Sequence, residues 1–352
     1  MTNISAIPHN RLTYGMAEAR AVATVVKSGQ WACGKKVAEL EVALARSAQV
    51  TNVVCVGSGL GALRLALLAS GISAGDEVIV PAYSCVALAN AVLSLGAKPV
   101  AADVLPGEWN IDPADARRKM TRRTTALIAV HTFGFPARIN ELKKLGVVVV
   151  EDCAHAIGRL QNGFALGARG DISITSFYAT KLVGAGEGGA VLTNDRTIAT
   201  KVRQWRDYFD QPMSATRLND KMTDIEAVLG LCQLGRLPDL LDARRNRAHR
   251  YTTAFGRLAH AGRIEIPAAI ESRIWYRYVV RVPGVPSREL CAALASRRIS
   301  AAEPICDWRE KGQSRQPIAS LVFRELVSLP LYPTLTRVEQ SRVIEAVRGF
   351  LE

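Results

Sequence analysis

Paired cysteines are missing from this sequence. Its seven cysteines (Cys33, Cys55, Cys85, Cys153, Cys232, Cys291, Cys306) are odd in number and never fall as Cys-x-x-Cys or beside paired histidines. That spacing excludes a zinc ribbon and a disulfide framework, and predicts reduced thiols and a cytoplasmic protein with no metal. Long apolar runs are missing too. The most apolar stretch, 53–72, is broken by Gly57, Ser58, Gly59 and Gly61 and carries Arg64, so it reads as strand plus helix and no membrane span is expected. The first residues have neither a basic nor an apolar leader region, and no secretory signal is expected. Aromatic residues make up only 6% and do not interleave with the basic clusters Arg244-Arg-Asn-Arg-Ala-His-Arg250 and Arg297-Arg298. A nucleic-acid platform is therefore not expected, although 45 basic against 32 acidic side chains leave a formal charge of +13. Most of that excess reads as solvated helix face. The other reading is a field that draws in a polyanionic small molecule such as a sugar nucleotide. Low-complexity stretches and internal repeats are absent.

What is present is an ordinary globular balance, 49% apolar and 22% charged, over 352 residues, a length that suits a large domain plus a smaller one. Seven short β-branched runs, Val53–Val56, Glu77–Val80, Pro99–Val104, Ala126–His131, Val147–Glu151, Ile172–Phe177 and Ala190–Thr193, alternate with helical or loop segments. They predict an α/β fold with a mostly parallel seven-stranded sheet covered on both faces. One long helix is expected over 224–241. Residues 1–244, with an N-terminal arm over about 1–30, form the expected large domain. A strand at 276–282 and helices at 287–298 and 338–351 would build a smaller α+β domain over 245–352.

In such sheets ligands gather beyond the carboxyl ends of the strands. One of these ends, Thr175-Ser-Phe-Tyr-Ala-Thr-Lys181, runs into the glycine-rich Gly184-Ala-Gly-Glu-Gly-Gly189. Burying a lysine there charged is costly, and burial would favour the free amine that attacks an aldehyde. Taken alone, Lys181 reads first as a side chain that snorkels to the surface after a strand. A second strand end, Gly57-Ser-Gly-Leu-Gly-Ala62, opens a helix whose backbone N–H groups favour an anion. The dinucleotide fingerprint fails at this turn, because Gly57-x-Gly59-x-Gly61 is followed by Ala62-Leu63 and not by a correctly spaced third glycine. A third strand end carries Glu151-Asp152, where a carboxylate can hold a ring nitrogen protonated or serve as a helix cap. An anion cradle, an acid and an aldehyde-binding lysine, in that chain order, are what pyridoxal 5′-phosphate needs.

The chain from about Trp31 to Phe350 also resembles the DegT/StrS family of sugar aminotransferases, which have fold type I, the aspartate-aminotransferase-like fold. The residues that carry the likeness include Trp31 with Gly34, Ser58-Gly59, Gly75-Asp-Glu-Val-Ile-Val-Pro81, Gly96-Ala-Lys-Pro99, Asn110-Ile-Asp-Pro113, His131 with Gly134 and Pro136, Ser176-Phe-Tyr-Ala-Thr-Lys181, Thr223-Asp-Ile-Glu-Ala227 and Leu329-Pro-Leu-Tyr-Pro333. The resemblance implies that Lys181 holds the cofactor as a Schiff base and shuttles the proton. It implies that Asp152 pairs with the pyridine nitrogen, that His155 lies close to the ring, and that Ser176 with the Gly59-Leu60 backbone binds the phosphate. It also implies a homodimer with shared active sites, in which Asn219 reaches the neighbouring subunit's phosphate. The implied reaction takes an amino group from L-glutamate, through pyridoxamine 5′-phosphate, to a keto-sugar that is nucleotide-linked, in amino-sugar biosynthesis. A keto-cyclitol acceptor, or a non-catalytic cofactor-binding regulatory protein, are the alternatives. The dehydratase branch replaces the lysine with histidine, which Lys181 argues against. Three positions depart from the family pattern. Lys221 replaces an arginine, and lysine cannot make the bidentate fork to a substrate anion. Leu60 replaces a threonine, and Cys85 replaces an aromatic that stacks on the ring. The last two imply a looser hold on the cofactor, unless Tyr83 covers the ring instead.

Overall fold

In the computed structural model, which describes residues 5–158, 160–161, 164–208, 218–309 and 316–352, the seven expected runs all form strands of one sheet. These are β1 (Asn52–Val56), β2 (Glu77–Pro81), β3 (Lys98–Ala102), β4 (Thr124–Val130), β5 (Val148–Asp152), β8 (Ile172–Ser176) and β9 (Gly189–Thr193), in the spatial order β1-β9-β8-β5-β4-β2-β3. A small hairpin, β6 (Leu160–Gln161) with β7 (Phe164–Ala165), interrupts the run between β5 and β8. Pairing is parallel from β3 through β8, and β9 runs antiparallel to both β8 and β1.

The two-residue period of the strands sorts their side chains into two covers. Val54, Val56, Val78, Val80, Ile128, Val150, Ile174 and Val191 point to the face packed by α3 (Gly59–Ala69), with α4 (Ala87–Leu93) and α7 (Arg196–Arg206) beside it. Val53, Cys55, Ala190 and Leu192 point the other way. There they meet α2 (Lys35–Ala48) and α8 (Asp224–Gly235), with α1 (Met16–Ser28) lying against α8. The far side of that face is closed by Ile79, Leu127, Ala129 and Val149 against α5 (Pro113–Lys119) and α6 (Ile139–Lys143). Burial on both faces is why these strands read as continuous apolar runs.

The expected helix at 224–241 is two. After Gly235 the chain breaks at Arg236 and restarts as α9 (Leu237–His260), with Pro238 in its first turn. Proline has no N–H to give and its ring clashes with the carbonyl four residues back, so it ends one helix and suits the start of the next. The 24 residues of α9 begin with Leu237 in the sheet core and end with Ala248, Tyr251 and Phe255 in a second core. That second core is built on β10 (Tyr278–Arg281), paired antiparallel with β11 (Leu326–Leu329), and on α10 (Ser287–Ser296) and α12 (Arg337–Leu351). Ile7 of the N-terminal segment is fully buried in it, bridged to Ile299. Between the cores, Tyr83, Trp109 and Phe133 pack against Val279 and against Ala319 and Val322 of α11 (Pro317–Glu325).

Candidate active site

The β1–α3 turn and the end of β8 meet across β9. Ser58 caps α3 by accepting the Gly61 N–H at 2.9 Å, and it forms a bridge to Gly188. Close approach here depends on missing side chains. A Cβ on Gly189 would lie 2.6 Å from the Ser58 carbonyl oxygen, and a Cβ on Gly59 would lie 2.8 Å from Ser176 Cβ and 2.9 Å from its Oγ. Glycine at both positions lets the first backbone N–H groups of α3 sit against the Ser176 hydroxyl, an arrangement that can hold a dianion.

Past Ser176 the chain folds back on itself. Phe177 N–H donates to Gly188 O, Ala179 N–H to Gly186 O, and Ala185 N–H to Phe177 O, at 2.8, 2.9 and 2.8 Å. Lys181 is carried in this closed loop, half-buried, with its Nζ 5.2 Å from the centre of the Tyr276 ring. The sheet pairs Asp152 with Ile174, which sets the carboxylate of β5 beside the approach to Lys181. Asp152 is 6% exposed and accepts the Ala154 N–H at 2.8 Å. Burial raises its carboxyl above the ordinary range, against the pull of the Ala154 N–H and the Lys181 charge. Among the described residues no cation bonds this carboxylate, and one would stabilise it.

His155 lies parallel to Tyr276, 4.2 Å between centres, and to Phe133 at 6.0 Å. Its Nδ1 accepts the Phe133 N–H at 3.4 Å. Burial, with Lys181 and Arg277 nearby, holds it well below the usual histidine range, so the ring is neutral. Burial pushes the Tyr276 hydroxyl up, but Lys181, Arg277 and a hydrogen bond with Thr180 outweigh it and leave the group below its ordinary value.

Beneath the site, His131 Nδ1 accepts the Ala137 N–H at 3.0 Å, so the proton is on Nε2, which lies 2.9 Å from Glu151 Oε2. Glu151 also accepts from the backbone of Gly167, Arg169 and Gly170. With Cys153, these two side chains have metal-ligand spacing, yet their polar atoms already tie β5 to the 167–170 loop.

The structure thus brings Gly59, Asp152, His155, Ser176 and Lys181 to the carboxyl ends of neighbouring strands. Leu60, in the first turn of α3, is 45% exposed, and Cys85 is exposed after β2. Tyr83 cannot cover a ring from the position it holds. It is 1% exposed, edge-on to Phe133 and Phe323 between the two cores. Asn219 is exposed, while Lys221 is committed to Asp207 at 2.8 Å and lies 4.3 Å over the Tyr208 ring. Sequence reasoning missed Tyr276, Phe133 and Thr180. The aromatic pair carries no local signal, since both side chains arrive from segments assigned to other duties.

Residues 13–348 match the model of the DegT/DnrJ/EryC1/StrS aminotransferase family. The chain belongs to this family. Among its relatives are a pleiotropic regulatory protein of Geobacillus stearothermophilus, 30% identical over 94% of this chain and 93% of the relative. Another is the spore coat polysaccharide biosynthesis protein SpsC of Bacillus subtilis, 31% identical over 98% and 97%. The crystal structure of S. venezuelae DesV in complex with a ketimine intermediate superposes with a TM-score of 0.92 at 30% identity, covering 99% of both chains. The fold is that of the fold type I aminotransferases, and the chain is a sugar aminotransferase with pyridoxal 5′-phosphate as its cofactor. Its own residues fit that group: a glycine-shaped cradle faces a serine hydroxyl, and a buried carboxylate, bonded to no cation among the described residues, stands one strand from a lysine.

Gly59→Ala tests the cradle. The added methyl would push Ser176 away from the α3 N-terminus, and losing one hydrogen bond to a charged phosphate costs about 1.5–3 kcal/mol. Cofactor affinity, measured by equilibrium dialysis, is expected to weaken about 10- to 100-fold while the far-ultraviolet circular dichroism is unchanged.

Proposed function

We propose that this aminotransferase moves an amino group from L-glutamate to a nucleotide-linked keto-sugar, as a cytoplasmic homodimer with shared sites. The observation that carries this reading is the convergence of Lys181, Asp152 and the Gly59–Ser176 cradle at neighbouring strand ends. When bound, the cofactor supplies an aldehyde that takes up an amine and a ring that accepts electron density. Lys181 Nζ would hold that aldehyde and, once freed, would carry the proton between the aldehyde carbon and the substrate carbon. Asp152 keeps a proton on the ring nitrogen by giving it a buried negative partner. Ser176 Oγ and the Gly59 and Leu60 N–H groups hold the phosphate, and Asn219 completes the phosphate site of the partner subunit. His155, neutral and stacked on Tyr276, would lie close to the ring without competing for its proton. Lys221, already paired with Asp207, offers at most one point contact to a substrate anion.

The likeness to a relative called a pleiotropic regulatory protein supports a second reading, a cofactor-binding regulator without turnover. The intact lysine, acid and serine favour the enzyme. The two part in a half-reaction: the cofactor-loaded protein mixed with L-glutamate is expected to lose its aldehyde absorbance and release 2-oxoglutarate stoichiometrically. A panel of nucleotide-linked keto-sugars and keto-cyclitols, scored by product mass, then identifies the acceptor. No spectral change with any amino acid would leave the regulatory reading in its place.

A further inference from the structure

Among the described residues Arg277 is a cation with no carboxylate partner. It follows Tyr276 on the segment leading into β10, half-buried, and none of the described acidic side chains pairs with it. Its only hydrogen-bond partner among the described residues is His9 Nε2, 3.5 Å from Nη1. Its guanidinium lies 5.5 Å from the centre of the Tyr276 ring, the ring that also has Lys181 Nζ at 5.2 Å. One aromatic ring is therefore flanked by the reactive amine and by a planar fork of donors. Buried Arg244 adds a second charge, satisfied by the Tyr276 and Leu331 carbonyls and not by an acid.

These groups line a half-open pocket of about 60 Å3, with His9, Thr180, Arg244, Tyr276, Arg277 and Ser328 among its walls and no aspartate or glutamate. Asn10, Thr180 and Arg244 also line a larger cavity of about 260 Å3 that contains Lys181. One water needs roughly 10–15 Å3 measured this way, so the smaller cavity has room for a carboxylate. His9 accepts a hydrogen bond from Ser328 or Arg277 and cannot neutralise them. Arg277 faces this half-open pocket beside buried Arg244, with no acid in the walls, a setting that favours an anion.

We propose that Arg277, backed by His9 and Ser328, is the subsite that clasps a carboxylate of the substrate that reacts at Lys181. Two parallel N–H···O bonds from the guanidinium fit the planar, two-oxygen carboxylate. The inference rests on the aminotransferase reading above and names the part of the substrate that the site grips. The carboxylate can come from the amino donor or from an acidic group on the keto-sugar acceptor.

The test uses the cofactor-loaded protein with Arg277→Leu and Arg277→Lys. Glutarate, which has two carboxylates and no amine, is titrated by calorimetry. The wild type is expected to bind it, Arg277→Leu to bind it about 10- to 100-fold more weakly, and Arg277→Lys to fall between. In single-turnover half-reactions, Arg277→Leu is expected to raise the half-saturating glutamate concentration by a similar factor, and by more than it lowers the maximal rate. If the amino-acid half is untouched and a carboxylate-bearing acceptor is weakened instead, the subsite stands and its ligand is the acceptor's carboxylate. Equal glutarate affinity and equal half-reactions in wild type and Arg277→Leu overturn the proposal, as does a wild type that binds glutarate nowhere. Failure of the parent reading looks different: glutarate binding still answers to Arg277, yet no amino acid converts the cofactor.

Discussion

Lys181→Ala is expected to lower single-turnover conversion of the cofactor by glutamate about 10⁴-fold, the upper range for removing a positioned proton-transfer group. The same variant loses the covalent anchor, so borohydride should no longer fix the cofactor to the chain. In the wild type the label is expected on Lys181 alone. The fold should tolerate the change, because the loop is closed by the backbone bonds of Phe177, Ala179 and Ala185, and the lysine side chain takes no part in them. Restored rates with an added small primary amine would separate lost chemistry from lost structure. A label on another lysine, or turnover within tenfold of the wild type, would count against the assignment of Lys181.

Asp152→Asn should act almost as strongly and in two directions. Removing one partner of a buried ion pair costs about 3–5 kcal/mol, which predicts a loss of about 10²- to 10⁴-fold in the half-reaction. In the cofactor-free protein the effect on stability has the opposite sign. Burial raises the Asp152 carboxyl in the folded chain, so the folded state binds the proton more tightly than the unfolded one. The charged carboxylate therefore burdens the empty protein at neutral pH. That burden fades as pH falls through the raised value and is gone once the group is protonated in both states. Asp152→Asn without cofactor is expected to unfold at higher denaturant concentration than wild type at pH 7, with the advantage shrinking on acidification. A variant less stable than wild type at pH 7 would mean that the carboxylate already has a compensating partner.

Much of this architecture was readable before any coordinates, for a physical reason that differs by element. The seven strands are buried on both faces, so each appears as an uninterrupted β-branched run. Gly59, Asp152, Ser176 and Lys181 each stand at or just past such a run, and the rule that ligands collect at carboxyl ends of parallel strands then selects them. The break between α8 and α9 was present in Pro238, but the apolar spacing carries on across it and hid the change of axis. Tyr83 is near Cys85 in the chain, yet that nearness does not put it at the site. β2 ends at Pro81, the alternation ends with it, and Tyr83 turns inward. Phe133, Tyr276 and Arg277 were invisible as site residues. Their position depends on how the second core docks on the first, and no local spacing encodes that.

The backbone loop that carries Lys181 sets an order of assembly. Phe177 and Gly188, which close it, are eleven residues apart in the chain, so the β8–β9 hairpin can form early and nearly unaided. Gly59 and Ser176, which shape the phosphate cradle, are more than a hundred residues apart and meet only when β1 joins the edge of the sheet beyond β9. Under mild denaturation the amides of the lysine loop should therefore outlast those at the α3 N-terminus in hydrogen exchange. A partly folded chain would then present a reactive lysine before it can grip a phosphate, so free aldehydes in the cell could modify Lys181 during synthesis, and early cofactor capture by the lysine would protect it.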